Sequence, residues 1–268
     1  MKTNKWITGM AICAGIGLAA CTSDDGLSTP TAIEVGQLTL SLSSGTKFTE
    51  ETRAVNENSY KNTGNYTVVI TDKNGNQKLN CKGSEVASKM PLTLSIKETY
   101  TVKAFYGKEH DASRDEFYVE DVASVNVSPE QDTKITLNCT PTCGRIKVNF
   151  RSDMSTYFSD YKVEFTGTNA LGRESITWLK NDTEPWYVKL NEEEEEISFT
   201  ITTVVNDQYN GGGAQSGTFK LKRNAAYRMD VNPYYVEPGT GNIGLDITIN
   251  EETTDKPVDI EVPVTWIQ

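Results

Sequence analysis

Histidine is nearly absent from this sequence, since His110 is the only one among 268 residues. Zinc sites that use several imidazoles are therefore excluded, and the metalloprotease pattern His-Glu-x-x-His is missing. No Gly-x-Ser-x-Gly elbow supplies a nucleophile that a single histidine could activate. His110 stands between Glu109 and Asp111, where an exposed loop residue is expected. These absences predict that the protein is not an enzyme and that it needs no metal and no cofactor.

Basic residues are also scarce, because 26 lysines and arginines face 37 acids and leave a net charge of -11. A chain of this sign repels nucleic-acid phosphates and anionic lipid headgroups, so no nucleic-acid partner is expected. Five of the acids form one run, Glu192 to Glu196, between predicted strands. Such a run is expected to repel itself into solvent.

Apolar runs long enough to cross a bilayer are missing, since a spanning helix needs about 20 apolar residues. The longest candidate, residues 6–17, follows Lys2 and Lys5 and is typical of a signal peptide over residues 1–20. Leu18-Ala-Ala-Cys21 resembles the bacterial lipobox, which predicts that Cys21 is lipidated and becomes the first mature residue. Acyl chains on Cys21 would bind the protein to a membrane.

Residues 21–35 predict a lipidated tether, because they are rich in Ser, Thr, Asp and Pro and hold little that could be buried. Asp24 and Asp25 look like the export signal of Bacteroidetes surface lipoproteins, although a merely solvated acidic spacer fits equally well. The protein is therefore expected at the outer membrane, lipid-anchored and facing the cell surface.

Cysteine is too rare for a disulfide framework. After the signal peptide and Cys21, only Cys81, Cys139 and Cys143 remain. One disulfide with one buried thiol is compatible with this count, and so are three free thiols. Three residues separate Cys139 from Cys143, which differs from the two-residue spacing of redox and zinc motifs. These cysteines are expected to be structural.

Period-two alternation of apolar residues runs through most of the remaining chain and predicts an all-β protein. Leu38, Leu40 and Leu42 begin the pattern, and a run from Val258 to Trp266 ends it. The Asn74-Gly75 pair between β-branched residues predicts a hairpin. No sustained 3.6-residue period is present, so long helices are not expected. Many short strands separated by turns indicate antiparallel β-sandwiches of the immunoglobulin-like or transthyretin-like kind.

A faint internal repeat indicates two tandem sandwich domains, residues 36–140 and 141–268. Four pairs of segments match in the same order along the chain. The first pair aligns residues 36–42 with residues 144–150, and the last aligns residues 133–137 with residues 226–231.

Aromatic residues are the candidate binding residues, because exposed flat rings stack on sugars and also anchor protein contacts. They cluster in the predicted second domain: Trp178, Trp186, Tyr187, Tyr234 and Tyr235. Packing inside a sandwich is the alternative for each of them.

Several segments together resemble Bacteroidales surface lipoproteins of the DUF4493 type, a domain of unknown function. They are residues 36–42, residues 69–75 with their Asn-Gly turn, residues 100–104 and residues 135–139. The resemblance implies relatives among fimbrillin-like pilus subunits and cell-adhesion proteins, and it carries no defined site residues.

The expected role is therefore adhesion, or a structural part in a pilus, with surface proteins, pilus subunits or glycans as partners. The alternative is a glycan-binding lipoprotein of a polysaccharide uptake system. If the protein polymerises by strand exchange, the run from Val258 to Trp266 is the expected donor strand.

Overall fold

The alternating segments are strands in this computed structural model, which describes residues 34–49, 54–236, 239–252, 260–261 and 265–267. Eight strands precede residue 142: β1 Val35–Ser44, β2 Thr67–Asp72, β3 Gln77–Lys82, β4 Leu92–Ser95, β5 Thr99–Gly107, β6 Ala112–Ser113, β7 Tyr118–Asn126 and β8 Thr133–Pro141. Eleven follow it: β9 Cys143–Phe150, β10 Phe158–Thr166, β11 Ile176–Leu179, β12 Trp186–Lys189, β13 Glu194–Val205, β14 Asn210–Gly211, β15 Gly213–Lys222, β16 Ala226–Tyr235, β17 Asn242–Glu251, β18 Ile260–Glu261 and β19 Thr265–Ile267.

Within the described ranges, helices are confined to short turns, as the missing helical period predicts. The two α-helices are α1 Val86–Lys89 and α2 Met154–Tyr157, and 3₁₀ turns occupy Glu57–Lys61, Thr63–Asn65 and Gly83–Glu85. The predicted hairpin is also confirmed, since β2 pairs antiparallel with β3 and Gly75 takes a positive φ of 81° at the turn.

The sequence repeat corresponds to a repeat of topology. In the first half of the chain one sheet has the strand order β3-β2-β5-β7-β8-β1-β4, with β7 joined to β8 over only two residue pairs. In the second half the corresponding strands belong to two sheets, β11-β10-β13-β15 in one and β16-β9-β12 in the other. We call these halves the first and second sandwich. The first and last strands of each repeat pair in parallel, with Leu40 opposite Ile135 and Val148 opposite Met229. The remaining pairs within the two repeats are antiparallel.

Each sandwich has its own hydrophobic core, built from every second residue of its strands, whose side chain faces inward. Leu38, Ile70 and Val102 lie in the first core, while Phe199 and Met229 lie in the second. Residues 34–268 nevertheless form one compact unit. A division into domains at residues 140 and 141 stays a prediction.

The two sandwiches meet where β8 leads into β9. The Asn224 side chain, just before β16, donates to the carbonyl of Gly45 at 2.8 Å and accepts the amide N–H of Lys47 at 2.9 Å. Strand β1 therefore ends against the beginning of β16. Each of these ten-residue strands spans about 30 Å at 3.3 Å per residue. Val35 and Tyr235 thus lie at the ends of their sandwiches that point away from this junction.

Cys81, Cys139 and Cys143 are free thiols, and all three are buried. Burial raises the pKa of Cys139 to about 12 and also raises the pKa of Cys143. A buried thiol with a raised pKa holds little thiolate and reacts poorly. No disulfide joins the three thiols in this structure, and the structural role of Cys139 and Cys143 stays a prediction.

Candidate functional site

A buried carboxylate connects the two sandwiches. Glu57 lies at the start of a 3₁₀ turn of the first sandwich and is 0% exposed. Its carboxylate accepts hydrogen bonds from Nη1 of Arg145, at 3.0 and 3.1 Å, and from the Tyr187 hydroxyl at 2.8 Å. Both donors belong to the second sandwich. Arg145 also donates through Nη2 to Glu252 at 3.0 Å. Opposite charge and hydrogen bonds together offset the cost of burying this acid.

Tyr187 belongs to this junction and not to an open ligand site. Its ring stacks on Phe117 with 4.8 Å between centroids and lies 6.0 Å from the ring of Phe48. Burial raises the pKa of the Tyr187 hydroxyl, and the neighbouring Glu57 charge raises this pKa further. The prediction that Tyr187 stacks on a ligand is therefore corrected, since only 2% of the residue is exposed.

Trp178 and Trp186 hold a guanidinium between them. The Cζ atom of Arg114 lies 4.9 Å from the Trp178 ring centre and 4.5 Å from that of Trp186. Arg114 also donates to the Asp182 carboxylate at 2.6 Å. Because Arg114 comes from the segment between β6 and β7, this cation–π stack is a further contact between the sandwiches, beside the antiparallel pairing of β6 with β12.

The same geometry corrects the prediction that Trp178 stacks on a ligand, and it restricts how much of the Trp186 ring a ligand could reach. Trp178 is 0% exposed in the second core and offers no ring face to a ligand. Alternation explains this burial, because Trp178 shares the inward face of β11 with Ile176. Trp186 is half-buried, with one ring face against Arg114 and its indole N–H bonded to the Thr177 carbonyl at 3.1 Å.

The exposed rings gather at the end of the second sandwich away from the junction. Tyr234 and Tyr235 are each 47% exposed at the end of β16. Tyr235 meets Tyr157 edge-to-face at 5.6 Å and 88°, and Tyr157 meets Tyr209 at 5.2 Å. We call Tyr157, Tyr209 and Tyr235 the tyrosine pole. They come from three separate segments of the chain: the end of α2, the turn after β13 and the end of β16.

Tyr234 lies on the opposite face of the sheet from Tyr235, since successive strand residues alternate. Across the strand pair it faces Gly244. A Cβ at Gly244 would stand 2.7 to 2.9 Å from the hydroxyl end of the Tyr234 ring. The ring therefore occupies the space that glycine leaves, and its outer side stays open to solvent.

Hydrogen bonds fix the backbone beneath the pole. The Asn206 amide donates to the carbonyls of Ser155 and Thr156, at 3.3 and 2.8 Å, which joins α2 to the turn that carries Tyr209. Arg151 forms a bidentate pair with Asp153, at 2.7 and 2.9 Å, and donates to the Pro233 carbonyl at 2.6 Å. These hydrogen bonds hold the backbone segments that carry the tyrosine rings in place.

The remaining polar candidates have structural partners. His110 lies 2.9 Å from the Glu116 carboxylate at a half-buried position. Glu195 departs from the solvated acidic run expected of it, because it is buried and its carboxylate accepts the backbone N–H groups of Asn169 and Asn191. Across the described ranges, no cluster of three or more histidine, cysteine, aspartate or glutamate side chains could hold a metal ion.

Residues 239–244 spell Gly-x-Gly-x-x-Gly, the pattern of dinucleotide-binding turns. That chemistry needs a strand, a tight turn and then a helix whose N-terminus faces the pyrophosphate. Here the segment joins β16 to the antiparallel strand β17, so it lacks the helix.

The predicted lipidation residue, Cys21, lies outside the described residues. Among those that are described, no helix has the length and the apolar character needed to cross a membrane.

A family model and several solved structures match most of the chain. Residues 34–264 match the model of a family described as Domain of unknown function (DUF4493). The comparison with curated proteins finds no match. Among solved structures, a fimbrial assembly protein from Parabacteroides distasonis is 11% identical with a TM-score of 0.44, over 84% of this chain and 98% of that one. The fimbrial anchor protein Mfa2 from Porphyromonas gingivalis is 10% identical with a TM-score of 0.38, over 81% and 97% of the two chains.

Proposed function

The chain belongs to the DUF4493 family, which is defined by a domain of unknown function, and we propose that it is a surface-anchored adhesion protein that binds through the tyrosine pole. One observation carries the proposal: tyrosines from three chain segments converge at the end of the second sandwich that points away from the junction. Exposed aromatic rings on a fixed backbone are typical of binding surfaces.

The composition around the pole supports a recognition surface. Residues 204–216 and 232–246 are rich in Tyr, Asn and Gly, as are the binding loops of antibodies. Tyrosine supplies contact area at a low cost in side-chain entropy, and asparagine supplies adaptable hydrogen bonds. Scattered single apolar residues are ordinary on a surface, whereas Tyr234, Tyr235 and Val236 are exposed consecutively.

The position of the pole also suits an anchored protein. The chain enters the first sandwich at Val35, at the end away from the junction, and the pole lies at the far end of the second sandwich. If Cys21 carries the lipid, the tether would hold the Val35 end nearest the outer membrane. The pole would then face outward from the cell surface.

Adhesion by whole cells tests this proposal. Cells that display the full-length wild-type protein are tested for binding to mucin, to epithelial cells and to bacterial envelopes, and they are expected to bind at least one of these surfaces. Tyr235→Ala is expected to weaken binding to that surface at least about tenfold, a loss of about 1.4 kcal/mol. Tyr235→Phe retains the ring and should retain binding. Val122→Ala, at a position that is 49% exposed on the first sandwich, is the matched control.

Anchoring is tested in the same cells, because Cys21→Ser cannot be acylated and should release the protein into the medium. Wild-type adhesion by Tyr235→Ala cells with equal surface display would overturn the role of the pole. Retention of the Cys21→Ser protein on the membrane would overturn the lipid anchor.

A second candidate function, a structural part in a pilus, is favoured by the outer edge of β8. In the second sandwich β16 pairs with β17 over nine residues, from Tyr227 to Tyr235. In the first sandwich β8 occupies the equivalent place, and β7 pairs with it only at Thr140 and Pro141. Over residues 133–139, no described strand covers this edge. An uncovered edge can accept a strand from another chain.

The hydrogen bonds of β8 identify which residues face outward. The Cys139 carbonyl accepts from Gly45, next to β1, so the odd-numbered residues bond to β1. Lys134, Thr136 and Asn138 therefore face the open edge, and the Asn138 N–H bonds to the Asp121 carboxylate at 2.7 Å. The structure describes only part of the expected donor strand, residues 258–266. In that part β18 pairs with β17 and β19 pairs with β15, both within the same chain. That pairing argues against this segment as the donor.

Thr136→Pro tests strand addition, because it removes an outward N–H without touching the bonds to β1. If the edge joins subunits, chemical cross-linking on cells should give oligomers with the wild-type protein and with Thr136→Ser, and only monomers with Thr136→Pro. Monomers alone with the wild-type protein, or oligomers that survive Thr136→Pro, would reject this function. Equal urea midpoints of the three proteins would show that the proline leaves the fold intact.

A further inference from the structure

Adhesion subjects an anchored protein to tension, and the order of the strands determines how that tension is carried. The tether continues directly into β1, so a pull on the anchored tether reaches the first sandwich at Val35. A pull on the tyrosine pole reaches the second sandwich at Tyr235, the last residue of β16. Both residues lie at the ends of their sandwiches that point away from the junction. Tension between them is therefore carried from β1 to β16 through the junction.

The first transfer of tension is from β1 to β8. These strands are parallel and pair over seven positions, from Leu38 opposite Thr133 to Ser44 opposite Cys139. The pull on β1 acts at its N-terminal end, whereas β8 is held at its C-terminal end, because only Thr142 separates β8 from β9. Parallel strands that are pulled from opposite ends slide past each other, and their evenly spaced hydrogen bonds are all loaded at once. Strand β1 therefore cannot leave β8 until most of these bonds break together.

The second sandwich repeats this arrangement between β9 and β16. These strands are also parallel, and they pair over six positions, from Arg145 opposite Ala226 to Phe150 opposite Val231. Here β8 pulls β9 at its N-terminal end, and the pole pulls β16 at its C-terminal end. The two parallel pairs are therefore sheared in series along one path, which runs from β1 to β8, β9 and β16.

Side-chain contacts oppose sliding in both pairs. In the first pair the Ser43 hydroxyl donates to Oδ1 of Asn138 at 3.0 Å, and in the second Nδ2 of Asn149 donates to Oδ1 of Asp230 at 2.7 Å. Leu40 is buried in the first core, and a slide of β1 would draw it out of its packing contacts there. Sliding thus breaks hydrogen bonds and apolar packing at the same time.

We infer that the protein is a mechanical link, which carries tension between the tether and the tyrosine pole through two parallel strand pairs sheared in series. This inference rests on the proposed adhesive function, which defines the two ends at which force acts. It adds resistance to force along that direction as a property of the fold.

Single-molecule pulling on the full-length protein tests the inference by comparing two directions. Handles are attached through Val35→Cys and Val236→Cys, which shears the parallel pairs, or through Val35→Cys and Gln131→Cys, which pulls β1 and β8 apart from the same end. All of these positions are exposed. Cys13→Ser and Cys21→Ser are present in every sample, and the three buried thiols react poorly, so the handles attach only at the introduced cysteines.

The shearing direction is expected to need several times the force of the peeling direction, because it loads the hydrogen bonds of a pair together instead of one by one. The strands and their hydrogen bonds are the same in both cases, so a difference in overall stability cannot produce this result. Equal forces in the two directions would overturn the inference.

Proline substitutions locate the resistance in the first pair. The Gly45 N–H donates to the Cys139 carbonyl, so the odd-numbered residues of β1 direct their N–H groups toward β8. Ser41→Pro removes one of these donors, whereas Thr136→Pro, opposite Ser41, removes a donor on the outer edge of β8. Both positions are exposed. Ser41→Pro is expected to lower the force in the shearing direction, and Thr136→Pro is expected to leave it unchanged.

The length released at each step identifies the pair that has opened. At about 3.5 Å per residue, less about 30 Å for the folded length, opening of residues 35–141 lengthens the chain by about 340 Å and opening of residues 143–236 by about 300 Å. The effect of Ser41→Pro should be confined to the longer step. An unchanged force for that step would show that the β1–β8 pair does not resist the pull. If urea unfolding shows that Ser41→Pro does not fold, the comparison of directions decides alone.

The outcomes separate this inference from the adhesive function. A several-fold difference between directions, with wild-type adhesion by Tyr235→Ala cells, would reject the pole as the point of attachment and support the resistance of the strand pairs. Lost adhesion by Tyr235→Ala cells, with equal forces in both directions, would support the adhesive function and reject the mechanical one.

Discussion

Replacing Glu57 by alanine is expected to lower the free energy of unfolding by about 3–5 kcal/mol, the usual cost of removing one partner from a buried ion pair. The substitution would leave the Arg145 guanidinium at the junction without the carboxylate that accepts two of its hydrogen bonds. It would also leave the buried Tyr187 hydroxyl without this acceptor. Mesophilic domains have total stabilities of about 5–15 kcal/mol, so a loss of this size would be a large fraction of the whole.

Urea unfolding measures this effect, and two milder variants separate its causes. Tyr187→Phe removes a single hydrogen bond to a charged group and should cost about 1.5–3 kcal/mol. Glu57→Gln keeps an acceptor without the charge and should fall between Tyr187→Phe and Glu57→Ala. The double variant Glu57→Ala with Arg145→Met removes both charges, so it should lose less than the sum of its single variants. A Glu57→Ala midpoint within error of the wild type would show that the pair does not stabilise the junction.

The Glu57 cluster could not be predicted from the sequence. Asn56, Glu57 and Asn58 form a polar stretch with no apolar alternation, and such stretches are ordinarily exposed. Glu57 is buried because its partners Arg145 and Tyr187 approach from 88 and 130 residues away. A pattern that extends over ten residues carries no information about contacts at that distance.

The strands themselves could be predicted, because their signal is local. Leu38 and Leu40 alternate with threonine and glutamine, and both are buried as that pattern requires. The predicted antiparallel direction does not hold for every pair of strands. Alternation is the same in parallel and antiparallel strands, so the parallel pairs β1–β8 and β9–β16 became evident only in the assembled sheets.

The aromatic residues also differ in whether a local sequence pattern could predict their surroundings. Trp178 follows Ile176 by two residues, and both lie on the buried face of β11, so alternation already indicated packing. Tyr234 and Tyr235 are adjacent at the end of a strand, and both are exposed there. Tyr157 and Tyr209, which complete the pole, had no signal in the sequence because they come from a short helix and a turn.

Trp178→Ala gives the second large effect and tests whether the tryptophans are part of a ligand site. Deleting this fully buried indole should cost about 3–5 kcal/mol, as for other large-to-small core substitutions. It would also remove one of the two rings that stack on Arg114 and so weaken a contact between the sandwiches. Urea unfolding of the full-length protein would measure the loss.

Trp178→Phe is the matched control, because it keeps an aromatic ring in the core. Nε1 of Trp178 is buried without a hydrogen-bond partner among the described residues, and an unsatisfied buried donor costs about 1–3 kcal/mol. Phenylalanine removes that donor, which offsets part of the cost of the smaller ring. Its loss of stability should therefore be much smaller than that of alanine.

Binding by the same variants decides between packing and recognition. A stacking residue of a ligand site would lose affinity on substitution while the urea midpoint stayed constant. A core residue would show the reverse, with a lower midpoint and wild-type affinity in the fraction that remains folded. Since Trp178 has no exposed ring face and Tyr235 is 47% exposed, we expect the second pattern for Trp178→Ala and the first for Tyr235→Ala. Lost affinity in Trp178→Ala at an unchanged midpoint would return the tryptophan to the ligand site and contradict its assignment to the core.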